Sequence, residues 1–545
     1  MPRELSEAMI QFNPQTAARS VVDRKRSSLT RHARLRGRRH SWLRLVVEEL
    51  QKRFAPAATF DVSTGLLSVV GDENGPSDDV IDVSVTPDRF VEVTINGTVC
   101  SSDPNSSAFD PALDGATGPS VLSVLMLGAE GNDALRLGEG VNKLAGGHIT
   151  LDGGAGNDAV TGSNLFESIS GGAGNDTLLG GLGENTIEAG AGDDMIIFVS
   201  VGSPQRDSII DPSGIDTLDF SMFGARLVID LGKENGEFQD YFSCFGESSC
   251  GVAISGTMEN VLGSNSGNSI TGNAAQNRLS GGAGDDLLSG GLGDDTLIGG
   301  AGNDRVDGGD GIDALIESVD VDFTLTDTSA TGLGNDTLVA IEQATLTGGG
   351  RDNRIDASAF TGPSTLDGMA GDDSLIGGPG VNTFIGGTGN DRLDGGEGSD
   401  TVDFGGSAMG VTVNLSRHTA RGQGRDVLFR IETVIGTQFD DTIMGDSMPN
   451  LLEGGDGDDV LRGRRGSDTV DGGVGDDSVF GDADMDSLLG GLGDDLLRGS
   501  KGDDTLIGNE GVDQLFGDAG FDRLVVDPMD KVTDVGRDGG KIIAA

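Results

Sequence analysis

The sequence predicts an all-β parallel solenoid, and three observations carry that expectation. First, residues 436–525 divide without a slip into ten blocks of nine: GTQFDDTIM, GDSMPNLLE, GGDGDDVLR, GRRGSDTVD, GGVGDDSVF, GDADMDSLL, GGLGDDLLR, GSKGDDTLI, GNEGVDQLF and GDAGFDRLV. Second, the blocks share a strict pattern: Gly at position 1, Asp at position 6 (Asn450 in one block), and Ile, Leu or Val at position 8. Third, the 545 residues include 93 glycines and only 4% aromatics, too little bulk for a large globular core.

Each part of a block has a mechanical role. Glycine at positions 1, 2 and 4 lets the backbone take positive φ or bend sharply, so the first six residues suit a tight turn. Positions 7–9 are too few for a helix and suit a short strand with position 8 pointing inward. Those inward residues are Ile443, Leu452, Leu461, Val470, Val479, Leu488, Leu497, Leu506, Leu515 and Leu524. Two blocks make one coil of 18 residues, so position 6 falls into two columns. Asp441, Asp459, Asp477, Asp495 and Asp513 form one; Asn450, Asp468, Asp486, Asp504 and Asp522 form the other. Carboxylates stacked one coil apart repel unless a hard cation lies between them, and a donor set of carboxylates and turn carbonyls suits calcium.

GGLGDDLLR at 490–498 and GGVGDDSVF at 472–480 resemble the nonapeptide repeat G-G-x-G-x-D-x-U-x of RTX (hemolysin-type) proteins. That resemblance implies a parallel β-roll with calcium between consecutive turns, held by the position 6 Asp and by backbone carbonyls. A disordered Gly/Asp-rich tract would not keep an apolar residue at every ninth position.

Three further arrays share the pattern. The first, 128–197, opens with the degenerate GAEGNDALR and LGEGVNKLA, then keeps phase from Gly153, with position 6 at Asp133, Asp158, Asp176 and Asp194. Its other edge has Glu167 and Asn185, which predicts weaker binding there. The second, 263–316, opens with Asn268 and Asn277 and continues with Asp286, Asp295, Asp304 and Asp313. The third, 368–403, has Asp373, Asn382, Asp391 and Asp400, and the fourth is 436–525. The resemblance makes Asp133, Asp158, Asp176, Asp194, Asp286, Asp295, Asp304, Asp313, Asp373, Asp391, Asp400, Asp441, Asp459, Asp468, Asp477, Asp486, Asp495, Asp504, Asp513 and Asp522 the expected ligands of several calcium ions.

Between the arrays lie 198–262, 317–367 and 404–435. DTLDF, LVIDLG and MENVLGS in the first match DTVDF, VTVNLS and RIETVIGT around the last, with VDFTLT and VAIEQATLTG between them. These read as wider, metal-free coils of the same solenoid; separate domains are the alternative. Residues 58–127 alternate apolar and polar, with turns at Thr64-Gly65, Asn74-Gly75 and Asn96-Gly97, and suit a small sandwich or an N-terminal β cap. Open coil ends need such a cover. The tail 526–545 shows no clear export signal.

Charge is uneven. The net is −52, yet residues 1–55 carry 13 Lys/Arg against 5 Asp/Glu. Residues 1–57 read as a basic leader or as a disordered or helical segment. The acidic body favours cations over nucleic acid or anionic membrane. Without metal it is expected to be largely unfolded. No run of 18 apolar residues occurs, so membrane insertion is not expected. Cys244 and Cys250 enclose a short loop and have the option of pairing, which leaves Cys100 over.

No catalytic centre is expected. His32, His40, His148 and His418 form no H-E-x-x-H, and no G-x-S-x-G occurs. The leading expectation is calcium binding by a secreted or cell-surface roll with a structural or adhesive role, its folding coupled to calcium, and cell-surface or matrix components as partners. The alternatives are a polysaccharide-acting enzyme on a β-helix and the calcium-binding region of an RTX toxin-like protein.

Overall fold

The computed structural model describes residues 57–544 except 62–63, 65, 72–77, 102–120, 122, 139, 142–147, 200–205, 212, 234–237, 244–248, 319 and 535–540. The basic segment 1–56 and Cys244 therefore lie outside the described residues.

The repeats coil into a parallel β-roll. On one face, strands Leu451–Asp456, Thr469–Val474, Ser487–Leu492, Thr505–Glu510 and Arg523–Val526 pair in parallel. Their register is one coil: Leu452, Val470, Leu488, Leu506 and Leu524 stand side by side. The opposite face is built the same way from Val460–Arg465, Ser478–Ala483, Leu496–Lys501 and Gln514–Ala519. Position 8 is fully buried in every block of this array, and these aliphatics belong to a core that runs from Leu67 to Leu524.

The strands are longer than the sequence predicts. Within the fourth array those from Leu451 to Ala519 run six residues, through positions 7–9 and on into positions 1–3 of the next block, because coil-to-coil pairing continues through the glycines, as at Gly455 and Gly473. The turn is compressed accordingly. Gly473 and Gly475, at positions 2 and 4, have φ of 108° and 141°, a region that costs an L side chain strain.

The longer segments stay in the same ladders. Val306 pairs with Leu338 and Leu315 with Ala344, while Leu393 pairs with Leu428 and Val402 with Val434. The extra length is folded into antiparallel meanders. Phe323–Thr326, Ser329–Thr331 and Asn335–Val339 form one, and Thr412–Asn414, Thr419–Arg421 and Arg425–Phe429 form another. In the meander of the first segment, Phe238–Ser243 runs antiparallel to Ser249–Ser255, with Cys250 opposite Phe242.

At the N-terminal end, Leu66–Val70 and Val80–Val85 join the parallel ladders through Ser123–Glu130 and Ala134–Leu137. Ala57–Asp61 and Val91–Ile95 then add in antiparallel sense, so the region is a β cap continuous with the roll. At the other end, Lys531–Asp534 and Lys541–Ala544 extend both faces.

Candidate metal sites

Strand alternation and the tight turn place positions 1, 6 and 8 inside the coil. Position 6 is therefore buried although it is a carboxylate, as Asp459, Asp477 and Asp495 show at 1% exposure. The aspartates stack in two columns, linked from coil to coil. The Asp459 amide donates to Asp477 Oδ1 at 2.8 Å, Asp477 to Asp495 at 2.8 Å, and Asp495 to Asp513 at 2.9 Å. On the other edge Asn450, Asp468 and Asp486 donate in the same way to Asp468, Asp486 and Asp504.

This ladder uses only one oxygen of each carboxylate. Oδ2 is buried and meets no hydrogen-bond donor at Asp133, Asp158, Asp176, Asp194, Asp286, Asp295, Asp304, Asp313, Asp373, Asp391, Asp459, Asp468, Asp477, Asp486, Asp495, Asp504 and Asp513. Asp522, at the end of its column, accepts the Asp504 amide at 3.0 Å. An ionised carboxylate buried with an unmet oxygen is a costly state. Burial, reinforced by neighbouring aspartates, pushes Asp459, Asp486 and Asp495 up to about 7 and Asp468, Asp477 and Asp504 up to about 6.

What faces Oδ2 is shown by the position 1 glycines. A Cβ built on Gly472 would overlap both Asp477 Oδ2 and the carbonyl oxygen of Gly490, one coil on. Gly454 stands in the same relation to Asp459 and Gly472, and Gly490 to Asp495 and Gly508. Each of these turns thus holds a small cradle lined by a carboxylate oxygen and a carbonyl, and a hard cation with oxygen ligands fits that donor set. Among the described residues, no three His, Cys, Asp or Glu side chains converge as a metal cluster. In the array turns carboxylates arrive singly, so carbonyls would have to complete the coordination of an ion there. Gly472→Ala is expected to cost about 1–3 kcal/mol by overpacking this cradle. Its thermal midpoint in excess calcium should fall, while Val474→Ala, at an exposed strand end, leaves the midpoint in place.

Two of the sequence-predicted residues differ from the rest. Asp441 Oδ2 accepts the Thr437 amide at 2.6 Å, and its Oδ1 accepts the Val411 amide at 2.5 Å. Asp400 Oδ1 accepts both the amide and the side-chain nitrogen of Asn382, each at 2.8 Å. On the other edge of the first array, Glu167 accepts from the Ser163 hydroxyl through Oε1, but its Oε2 is again buried and unmet.

The ladder also crosses the longer segments, which read in the sequence as wider, metal-free coils. Asp194 donates to Asp216 at 2.7 Å, Asp304 to Asp336 at 2.9 Å and Asp391 to Asp426 at 3.1 Å. Glutamate takes over where the chain re-enters an array. Asp216, Asp313 and Asp400 donate to Oε2 of Glu259, Glu342 and Glu432, each at 2.9 Å. The recurring Met258-Glu259, Ile341-Glu342 and Ile431-Glu432 were the visible signal for them.

A second, outer ladder was not anticipated. Position 5 reads as solvated charge, yet the amides of Asp458, Asp476, Asp494 and Val512 donate to Oδ1 of Asp440, Asp458, Asp476 and Asp494 at 2.9–3.0 Å. These bonds run toward the preceding coil, opposite in sense to the inner ladder, so each pair of coils is clamped in both directions. His418 serves its own turn: its Nδ1 lies 3.0 Å from the Leu428 carbonyl and its ring stacks on Phe429.

The family described as RTX calcium-binding nonapeptide repeat (4 copies) matches this chain in overlapping segments that cover 150–196, 262–315, 347–407 and 435–524. No curated protein matches the chain. The coil length, the buried aspartate columns and the oxygen-lined cradles are what such repeats require of a β-roll that binds calcium. The arrays of this protein are RTX calcium-binding nonapeptide repeats.

Proposed function

We propose that the position 6 aspartates hold calcium through Oδ2, one coil to the next, and that this binding is coupled to the folding of a secreted or cell-surface protein with a structural or adhesive role. The run of buried Oδ2 atoms without a donor carries the reading. Calcium supplies the positive charge and oxygen coordination that these atoms lack.

The protein's own groups do the rest. Oδ1 of each aspartate fixes the carboxylate to the neighbouring coil, so in the folded coil Oδ2 is aimed into the cradle. The position 1 glycine keeps the cradle open, and its carbonyl offers a donor from the next turn. Because each coil touches only its neighbours, order propagates along the roll and binding is cooperative. A net charge of −52 opposes compaction until cations are present, which suits a chain kept unfolded in low-calcium cytosol and folded outside. Among the described residues no helix is long and apolar enough to cross a membrane.

Asp477→Ala and Asp495→Ala, in the middle of the most regular column, are expected to lower the cooperativity of calcium-induced folding of the full chain. Glu167→Ala, on the irregular edge of the first array, should lower it less. Circular dichroism against calcium concentration reads the difference, and equal effects at all three positions would undo the column assignment.

A further inference from the structure

The segment between the first and second arrays contains one more nine-residue turn, DPSGIDTLD at 211–219, outside every stretch matched by the repeat family. It departs from the pattern at position 1, where Asp211 stands in place of the usual glycine. Position 6 is Asp216, and it sits in the inner ladder like any other. The Asp194 amide donates to its Oδ1 at 2.7 Å, and its own amide donates to Glu259 Oε2 at 2.9 Å.

Asp211 brings a second carboxylate into that cradle. Its Oδ1 accepts the Ser213 amide at 3.2 Å, and its amide donates to the Ser255 carbonyl at 2.8 Å, so the side chain is anchored from both sides. Asp211 is 3% exposed and Asp216 0%. In the array turns a Cβ at position 1 would meet Oδ2 of the position 6 aspartate, so a side chain at Asp211 shares the cradle of Asp216, and Oδ2 of both is buried with no donor. Two ionised carboxylates so placed repel strongly in a poorly solvated site, and among the described residues no Lys or Arg forms an ion pair with either.

The other acidic residue at position 1 is a useful contrast. Glu317 reaches into the neighbouring turn, but its Oε1 accepts the Gly299 and Gly300 amides at 2.9 and 3.2 Å. Two amides converge on that one oxygen, and Glu317 has no buried oxygen left without a donor, whereas Asp211 and Asp216 each bury Oδ2 with none.

We propose that Asp211 and Asp216 together form a two-carboxylate calcium site, tighter than the single-aspartate cradles of the arrays, on the coil that leads out of the first array. The proposal rests on the reading that position 6 aspartates hold calcium through Oδ2. Calcium affinity in oxygen sites rises with the number of charged ligands. This coil therefore fills first as calcium rises, ahead of the more regular fourth array, and gives the roll a fixed starting point for order.

Calcium titration calorimetry on the full chain tests this. The wild type should show a class of about one ion per chain that binds more tightly than the rest. Asp211→Gly restores the ordinary repeat residue and should weaken that ion roughly tenfold or more while the other ions bind as before. Asp211→Asn, which keeps the shape and removes the charge, should do the same. If either variant keeps the tight class, the site is not there. If Asp211→Gly binds every ion more tightly, or needs less calcium to fold, the pair is a repulsive liability held by a shared proton. A variant that does not fold in saturating calcium also overturns the proposal, because array turns with glycine at position 1 have the same make-up. A wild type that binds no calcium would instead remove the broader reading.

Discussion

Stripping divalent cations from the full chain at pH 7.5 is expected to abolish most of its β-structure, and calcium alone is expected to restore it. The inner ladder explains the size of the effect. Each coil buries carboxylates whose Oδ2 has no donor, and successive carboxylates stand one above another along both edges. Position 8 offers a single aliphatic residue per block to oppose that cost. Magnesium demands near-ideal octahedral geometry and gives up water reluctantly, so it is a poor substitute in a cradle lined by one carboxylate and carbonyls. The far-UV circular dichroism transition should be steep and lie at calcium concentrations of roughly 10⁻⁴–10⁻³ M, the range of extracellular modules. Full β-structure in excess chelator would show that the aspartate columns are not what holds the roll together.

The second large effect is a reversal with pH. In the folded roll without metal, burial raises Asp459, Asp486 and Asp495 to about 7 and Asp468, Asp477 and Asp504 to about 6, from an ordinary value of 3.8. Each such group binds more protons folded than unfolded between those limits, so stability falls as pH rises. The contribution is fully present below the ordinary carboxylate range and is lost as pH passes through about 6–7. The metal-free chain should therefore gain β-structure when taken from pH 8 to pH 5, as protons replace the missing cation at Oδ2. In calcium the sign inverts for the ion: the roll is stable at pH 8, and bound calcium is released only at lower pH than this window, because the ion holds the carboxylates ionised. Circular dichroism in chelator and a calcium electrode in its absence read the two halves. A metal-free chain whose β-content ignores pH would mean that the buried carboxylates do not limit folding.

How much of this was legible follows from what a nine-residue period can encode. Face and column are direct consequences of the period, so Leu488 as core and Asp477 above Asp495 were visible in the sequence. The extension of strands through positions 1–3 was not, because glycine reads as turn until neighbouring coils are seen to pair through it. The outer ladder at Asp458 and Asp476 was hidden for a similar reason. An acidic residue at a turn looks solvated, and its acceptor role depends on an amide one coil away. Asp216, Asp336 and Asp426 were lost to counting, since the longer segments break the spacing that would align them. Asp441 and Asp400 read like every other position 6 residue. Only packing reveals that Thr437 and Asn382 meet their oxygens.

The measurement that bears most directly on the account is a crystal structure of the calcium-loaded protein with anomalous scattering from calcium. The inner-ladder assignment predicts peaks about 2.3–2.6 Å from Oδ2 of Asp459, Asp477 and Asp495, repeating once per coil beside the position 1 glycines. Peaks at the outer carboxylates of Asp458, Asp476 and Asp494, with Oδ2 of the inner column left bare, would contradict it.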